Sequence, residues 1–487
     1  LRINSGADDP AGLIISERLQ TEIVGTEQAI ENGERASSVI ATTEAALIEV
    51  TDLLNTIKAL MVESANTGAN SQEERDANQL EIDSAIDSIT RISNTASFGR
   101  LNLLDGSLDY ITSGINNASI ARARVNGASF VGTSRLQAEV DVLASAQQAQ
   151  LYLDPNNIGT GGVLSNGVFA ETVSIKIRGD RGVDELTFAS NQTLEDVVQA
   201  VNDRTSLTGV TAELVNGADF SSGLVFESEG YGSNSFVSVE QINTTSGSGE
   251  LETFKLDNDA PPPSGGPPFN IPTAQMVEAN RDEGKDVLAL INGTVATGDG
   301  LEISINSRTL STELLLTESF ATDPTQTPET FDIIGGGATF QLGPEISALQ
   351  QENIGVQSVS ASELGGVLTD GGLQFLSSLR RGNPNSIDEN TRDNDFSTAS
   401  DIIDKAIDEI TVLRGRLGAF ERNVLETNQR SLQAAQENLT ASRSTIRDAD
   451  FAKETSELTR AQVLQQSTTS ALQLANQTSQ SVLALLG

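Results

Sequence analysis

Cysteine, histidine and tryptophan are missing from these 487 residues, tyrosine occurs three times, and 30 basic side chains face 68 acidic ones for a net charge of −38. Each absence excludes something. Without imidazole or thiol there is no histidine base, no cysteine nucleophile, and no nitrogen or sulfur ligand for zinc, copper or haem. Disulfides play no part in stability. An excess of negative charge without a basic block repels phosphates and acidic lipid, so the sequence predicts neither nucleic-acid binding nor membrane insertion. No run of about 18 apolar residues is long enough to cross a bilayer, and no leader or lipidation signal is found, so the chain reads as soluble. It begins at Leu1 rather than Met and reads as a fragment cut at its N-terminus.

Hydrophobic residues make up 37% of the chain, enough for real cores, and the length allows about three domains. Pro10 to Asn66 contains no internal proline. Apolar side chains from Ala36 and Ile40 through Leu47, Val50, Leu54, Ile57 and Met61 recur at alternating intervals of four and three, the seam of helices that wrap around one another. Asp9-Pro10 supplies a helix start. Asn66-Thr67-Gly68 ends this helix, and Ser71 with Glu73 and Glu74 opens another whose seam is Ile82, Ala85, Ile89, Ile92 and Ala96. Asp105-Gly106, between Leu101 and Leu108, has the chemistry of a β-hairpin turn.

Near the other end the seam runs Ile403, Ala406, Ile410, Leu413, Leu417, Phe420 and Val424, slips by one residue, and resumes at Leu432; such a slip resembles a stutter. A helix from Ser400 to Ile446 is about 70 Å long. After Arg460 no charged residue occurs through Gly487, yet six glutamines keep this tail from being a membrane helix. Leu464, Ala471, Leu472, Ala475, Val482 and Leu485 lie along it. Burying its apolar side chains returns less than its ordering costs, so the tail is expected to take fixed structure only when other chains surround it. The middle alternates apolar and polar residues, as in Val173 to Ile177 and Leu301 to Ile305, with one short helix over Thr193 to Val201. The reading is an α+β chain: a long antiparallel helical coiled-coil rod from both termini with a β-rich variable insert. Its segments are 1–124 (helical, with a β-hairpin near 98–108), 125–335 (β-rich, with a sub-boundary in the proline-rich 258–272), 336–447 (helical) and 448–487 (inner-core helix).

Leu1-Arg2-Ile3-Asn4-Ser5-Gly6-Ala7-Asp8-Asp9-Pro10-Ala11-Gly12-Leu13 resembles the N-terminal signature of bacterial flagellin. Ala441-Ser442-Arg443-Ser444-Thr445-Ile446-Arg447-Asp448-Ala449-Asp450-Phe451-Ala452 and the ending Ser481 to Gly487 are similar to that family's C-terminus. The resemblance covers roughly half of the chain, and Ile175 to Val225 resembles an insert module of some flagellins and hook-associated proteins. It implies a non-enzymatic subunit that is secreted through an export channel and polymerises into the extracellular flagellar filament. Implied partners are further copies of itself, an export chaperone on the C-terminal tail, and cap and hook-filament junction proteins. The alternative is the hook-filament junction protein, of the hook-associated protein 3 type. The family has a further segment upstream of Leu1, which pairs with the C-terminal tail.

Some flagellins are sensed by Toll-like receptor 5 through a patch matching Ile57, Lys58 and Leu60 here. Thr56 and Ala59 stand where recognised members carry arginine and glutamate, so a receptor contact and a face packed in the filament both remain open. Arg178-Gly179-Asp180 is an integrin-type tripeptide or a strand-ending turn. Asp393, Asp395 and Asp401 are calcium-ligand types without EF-hand spacing. Gly159-Thr160-Gly161-Gly162 follows no strand-to-helix phosphate-loop pattern. Asn191 to Thr193 and Asn243 to Thr245 are glycosylation triplets or mere polar surface. The zinc protease of some flagellin inserts needs His-Glu-x-x-His, which a chain without histidine lacks, and only a carboxylate hydrolase survives as an enzyme reading.

Overall fold

A computed structural model describes residues 2–130, 133, 135–154, 164–217, 219–242, 251–256, 276–369, 371–393 and 395–486, with side chains in the last helix described as far as Thr478. Along the chain, long helices at both ends flank a β-rich middle. Two compact units divide the chain: Leu1–Ser38, Phe340–Glu352 and Ala419–Gly487 form the first, and Val39–Thr339 with Asn353–Gly418 the second.

Helix α1 spans Pro10–Ala65. Asp9 opens it by accepting the Gly12 amide at 2.9 Å, with proline at the first helical position where no amide is needed. Helix α2, Gln72–Thr95, begins with a capping box in which the Glu74 carboxylate takes the Ser71 amide at 2.7 Å and Ser71 Oγ takes the Glu74 amide at 3.3 Å. The α2 seam drifts from the expected one. Ile82, Ala85, Ile86, Ile89 and Ser93 are buried, while Ile92 and Ala96 are only half-buried. Ser93 belongs inside because its hydroxyl donates to the Leu104 carbonyl at 2.6 Å.

The hairpin after α2 is also displaced. Ser97–Phe98 pairs with Leu101–Asn102, so the turn is Gly99-Arg100, with Gly99 at φ +67°. Asp105-Gly106 instead forms a bend in which the Asp105 carboxylate accepts the Ser107 amide at 3.0 Å. Proximity explains the difference: a two-residue turn closes directly onto the helix end.

Within the second unit, five strands lie in the order Thr294–Val295, Leu288–Ile291, Leu136–Ala144, Glu329–Gly336, Tyr110–Ser113. They share a core including Val140, Ile291, Ile303, Leu314, Phe320 and Phe331 with the strands Thr297–Asp299, Glu302–Asn306, Leu310–Leu316 and Ile120–Ala128. A second core, with Ile175, Val197, Phe226 and Val237, joins five strands around Gln148–Leu153 to four around Val173–Arg178 and to helix α3, Leu194–Asn202. The pairings in both are antiparallel. The segment boundary expected at 124/125 falls inside the strand Ile120–Ala128, and strands begin at Tyr110 rather than after 124. The proline-rich sub-boundary, the Gly159 to Gly162 loop and the Asn243 triplet lie outside the described residues. Short helices α4 (Thr205–Thr208), α5 (Glu318–Ala321) and α6 (Ile387–Asp393) close connections.

Helix α7, Ser397–Phe420, continues through a π-helical turn, Glu421–Leu425, into α8, Glu426–Arg447. The slip in spacing after Val424 coincides with this wide turn. One extra residue rotates the seam, so Leu425 is buried at 2% exposure while Phe420 and Val424 are only half-buried. Helix α9 spans Phe451–Leu486. The tail is helical, with its described side chains exposed. Its Ala, Leu and Gln content favours helix, and the hydroxyls of Thr455, Ser467 and Thr468 bond back to carbonyls four residues earlier.

Candidate assembly site

Three arrangements stand out among the described residues. The first is the filled seam of the second unit. Leu47, Val50, Leu54 and Ile57 are at 0% exposure, and Met61, Ile410, Leu413 and Leu417 are also buried. Direction follows from the polar pairs along it, since Lys58 pairs with Asp404 and Glu44 with Arg414 at 3.5 Å, so α1 and α7 run antiparallel there. Asn78 of α2 donates to Ser64 of α1 at 3.1 Å. The chain itself fills this stripe. Within this unit α2 and α7 lie along the apolar face of α1. Of the receptor-patch residues, Ile57 is enclosed, Leu60 is half-buried, and Lys58 is held by Asp404.

The second is a buried charge cluster that spacing alone does not reveal. Glu409 is 3% exposed in the side chain and takes Arg122 at 2.7 Å, Arg124 at 3.1 Å and the Gly365 amide at 3.1 Å. Arg122 and Arg124 alternate along one strand, so both cations point to the same side. Burial pulls Arg124 below the usual guanidinium range, and the Glu409 charge opposes that pull. Two α7 turns away, Arg416 reaches Asn126 Oδ1 at 2.6 Å. Two signals for this cluster are present in the sequence: an Arg-x-Arg pair in an acid-rich chain, and an acid within the apolar spacing of α7.

The third is the pair of chain ends in the first unit. Asp8 accepts the amides of Asn4 at 3.0 Å and Ser5 at 2.8 Å, and these bonds, Asn4's first, hold its carboxyl below the usual carboxylate range. That turn aims Arg2 at the end of α8, where its amide meets the Arg447 carbonyl at 2.7 Å and its guanidinium the Ile446 carbonyl at 2.9 Å. A Cβ at Gly12 would lie 2.5 Å from Asp9 Oδ2 and 2.6 Å from Ile3 Cδ1, so a larger residue there makes those side-chain ends move. Glu17 with Arg447 at 3.4 Å and Glu34 with Gln429 at 3.1 Å set α1 and α8 antiparallel in this unit. Beyond them, every side chain from 451 to 478 is exposed, with Leu464 at 58% and Leu472 at 64%, and Ala471 and Ala475 alongside. Val482 and Leu485 fall beyond the described side chains.

The remaining sequence candidates have structural work. Gly179 and Asp180 lie in the turn where the Gly179 amide meets the Gly182 carbonyl at 3.0 Å. Asp395 accepts the Ser397 amide at the start of α7, Asp401 pairs with Arg181, and Asp393 with Arg392. Thr193 and Asp196 form the capping box of α3. No cluster of potential metal ligands occurs among the described residues, and no helix there is long and apolar enough to cross a membrane.

Three family models match the chain: the bacterial flagellin N-terminal helical region over 1–109, the bacterial flagellin C-terminal helical region over 400–486, and the flagellin hook IN motif over 174–230. The insert match covers the expected stretch. The whole chain aligns at 27% identity with 93% of a flagellin of Salmonella typhimurium. It aligns likewise at 28% with 92% of the B-type flagellin of Pseudomonas aeruginosa. A hook-associated protein-3 structure from Legionella pneumophila overlaps 89% of this chain and 99% of its own at 12% identity, and its TM-score of 0.33 decides nothing.

Proposed function

This chain belongs to the bacterial flagellin family and is a structural subunit of the flagellar filament, and we propose that α9 is the surface through which copies build the filament's inner core. The observation that carries this reading is a helix, Phe451–Leu486, with Leu464, Ala471, Leu472 and Ala475 all exposed and no charge after Arg460. The charge-free stretch after Arg460 gains most by burying its leucines and valines against like helices, and Val482 and Leu485 extend the same spacing. Before assembly an export chaperone covers this tail, and cap and hook-filament junction proteins meet the same helical ends in the secreted protein. The β-rich insert takes no part in the core. Contact with Toll-like receptor 5 at Ile57, Lys58 and Leu60 requires Lys58 to leave Asp404, so packing is the reading for that face.

Electron microscopy of full-length subunits after addition of salt tests this. The net charge of −38 opposes association and is screened over about 8 Å at physiological ionic strength, so long filaments should appear as salt rises. Leu464→Ser with Leu472→Ser should leave the monomer's melting unchanged and abolish filaments. Filaments formed by that variant as readily as by the parent would remove the role of α9, and short rings in place of filaments would favour a junction protein.

A further inference from the structure

Asparagine followed by glycine occurs five times in the chain. Such a pair carries a latent reaction, because a glycine amide nitrogen has no neighbouring side chain to hinder its approach to the asparagine carboxamide carbon. The fold decides whether it proceeds: the carboxamide must be free, wetted, and able to meet that nitrogen. Four of the five pairs are held. Asn32-Gly33 lies inside α1, whose backbone fixes the amide, and Asn32 Nδ2 donates to the Gln341 carbonyl at 3.3 Å. Asn126-Gly127 lies in the strand Ile120–Ala128 with Asn126 9% exposed, its Nδ2 donating to Glu313 at 3.0 Å and its Oδ1 accepting Gln357 at 2.9 Å and Arg416 at 2.6 Å. Asn166-Gly167 and Asn292-Gly293 are two-residue hairpin turns with positive φ at both residues, +50° and +72° in the first, +50° and +73° in the second. The flanking strand pairs lock that conformation. Asn292 is further tied, with Oδ1 accepting the Glu139 amide at 2.8 Å and Nδ2 donating to the Gln137 carbonyl at 3.2 Å.

Asn216-Gly217 differs from all four. It follows the strand Val210–Leu214, which pairs with Leu224–Tyr231. Both residues are exposed, and neither the Asn216 carboxamide nor the Gly217 amide has a hydrogen-bond partner among the described residues. The backbone of Asn216 is nevertheless placed, since its amide donates to Ser222 Oγ at 2.9 Å and its carbonyl accepts the Asp219 amide at 2.7 Å. That second bond polarises the peptide group joining Asn216 to Gly217 and makes its N–H more acidic.

We propose that Asn216 is a site of spontaneous modification, at which the exposed carboxamide closes onto the Gly217 nitrogen and then hydrolyses to aspartate and isoaspartate. The Gly217 nitrogen loses its proton and bonds to Cγ, the Cγ–Nδ2 bond breaks, and the amide group leaves as ammonia. Water then opens the cyclic imide. Attack at Cγ gives aspartate, and attack at the main-chain carbonyl gives isoaspartate, which lengthens the backbone of this turn by a methylene. Either product adds a negative charge near Asp219. Water is the one co-reactant and no second chain takes part, so the reaction stands apart from the filament reading.

Peptide mapping by mass spectrometry tests it, on the full chain held in warm neutral buffer and sampled over time, with isoaspartate told from aspartate by fragmentation and the fold followed by circular dichroism. Asn216 should convert at least about tenfold faster than Asn32, Asn126, Asn166 or Asn292, the factor that one or two hydrogen bonds place on a rate. In urea the five rates should converge, since the dipeptides are alike once the fold is gone. Gly217→Ala should slow conversion at Asn216 and leave the circular dichroism unchanged, because a Cβ there meets nothing within 4 Å among the described residues and φ lies outside the left-handed region. Conversion of Asn216 no faster than that of Asn292 in the folded chain, or the same ranking of the five in urea, would overturn the proposal.

Discussion

Replacing Glu409 with alanine should destabilise the second unit by about 3 to 5 kcal/mol, because it strands two arginines that are each only 14% exposed. The size follows from the partners. Glu409 is the anion within ion-pair distance of both Arg122 and Arg124, and it also satisfies the Gly365 amide. Glu302 and Glu313 act on Arg124 at longer range, and Lys405 competes for Glu302, which places the loss toward the lower end. Urea unfolding is the assay. The three tyrosines, Tyr110, Tyr152 and Tyr231, all lie in the second unit, so in a chain without tryptophan their emission reports it, while circular dichroism follows the helices. At an m-value of about 3 kcal/mol/M, the tyrosine midpoint should fall by about 1 to 1.7 M. Arg122→Met, Arg124→Leu and Glu409→Met together should recover most of the loss, since an apolar cluster has no charge to desolvate. Recovery will be incomplete because Arg122 also lies over the Phe375 ring, 5.4 Å from its centroid. A loss below about 1 kcal/mol for Glu409→Ala, or one erased by about 0.5 M salt, would refute the argument, since a buried cluster is little screened.

Two further outcomes are open to measurement. Gly365→Ala should cost more than an ordinary cavity change, because φ is +72° and a Cβ there would lie 2.3 Å from the Ile402 carbonyl oxygen; thermal unfolding of the variant against the parent reads it. Burial raises the carboxyls of Glu229 and Asp401 around Arg181, and the Arg181 charge opposes that rise. A raised folded-state value means the folded form takes up protons first, so this contact should tighten as pH falls through those values and loosen as pH rises back through them. Amide exchange at Gly179 and Gly182, followed from neutral pH into the acid range, should slow beyond the intrinsic dependence; an unchanged protection factor would contradict the sign.

Local chemistry is what the sequence makes legible. Asp9-Pro10, Ser71 with Glu74, and Thr193 with Asp196 begin helices at the residues their side chains can cap. The interrupted spacing after Val424 announced an irregular turn, though not that the helix would widen and bury Leu425. What stayed hidden depends on partners distant in the chain. Nothing beside Glu409 signals that Arg122 and Arg124 will surround it from 287 and 285 positions away. The turn at Gly99-Arg100 prevailed over the equally plausible Asp105-Gly106 because Leu103 and Leu104 are drawn into the core at 0% exposure, leaving the later pair only a bend. The α1 stripe is legible in the sequence as a seam, but periodicity does not say whether the covering helix belongs to the same molecule.

The hydrogen bond between Arg2 and the Ile446 carbonyl spans 444 positions of chain. Closing a loop of that length costs roughly 5 kcal/mol of chain entropy before any return. The turn at Arg2 therefore cannot close its contact until the chain as far as Ile446 is available. The clasp thus acts as a timer, shutting only once the segments on either side of the β-rich middle have both been brought together.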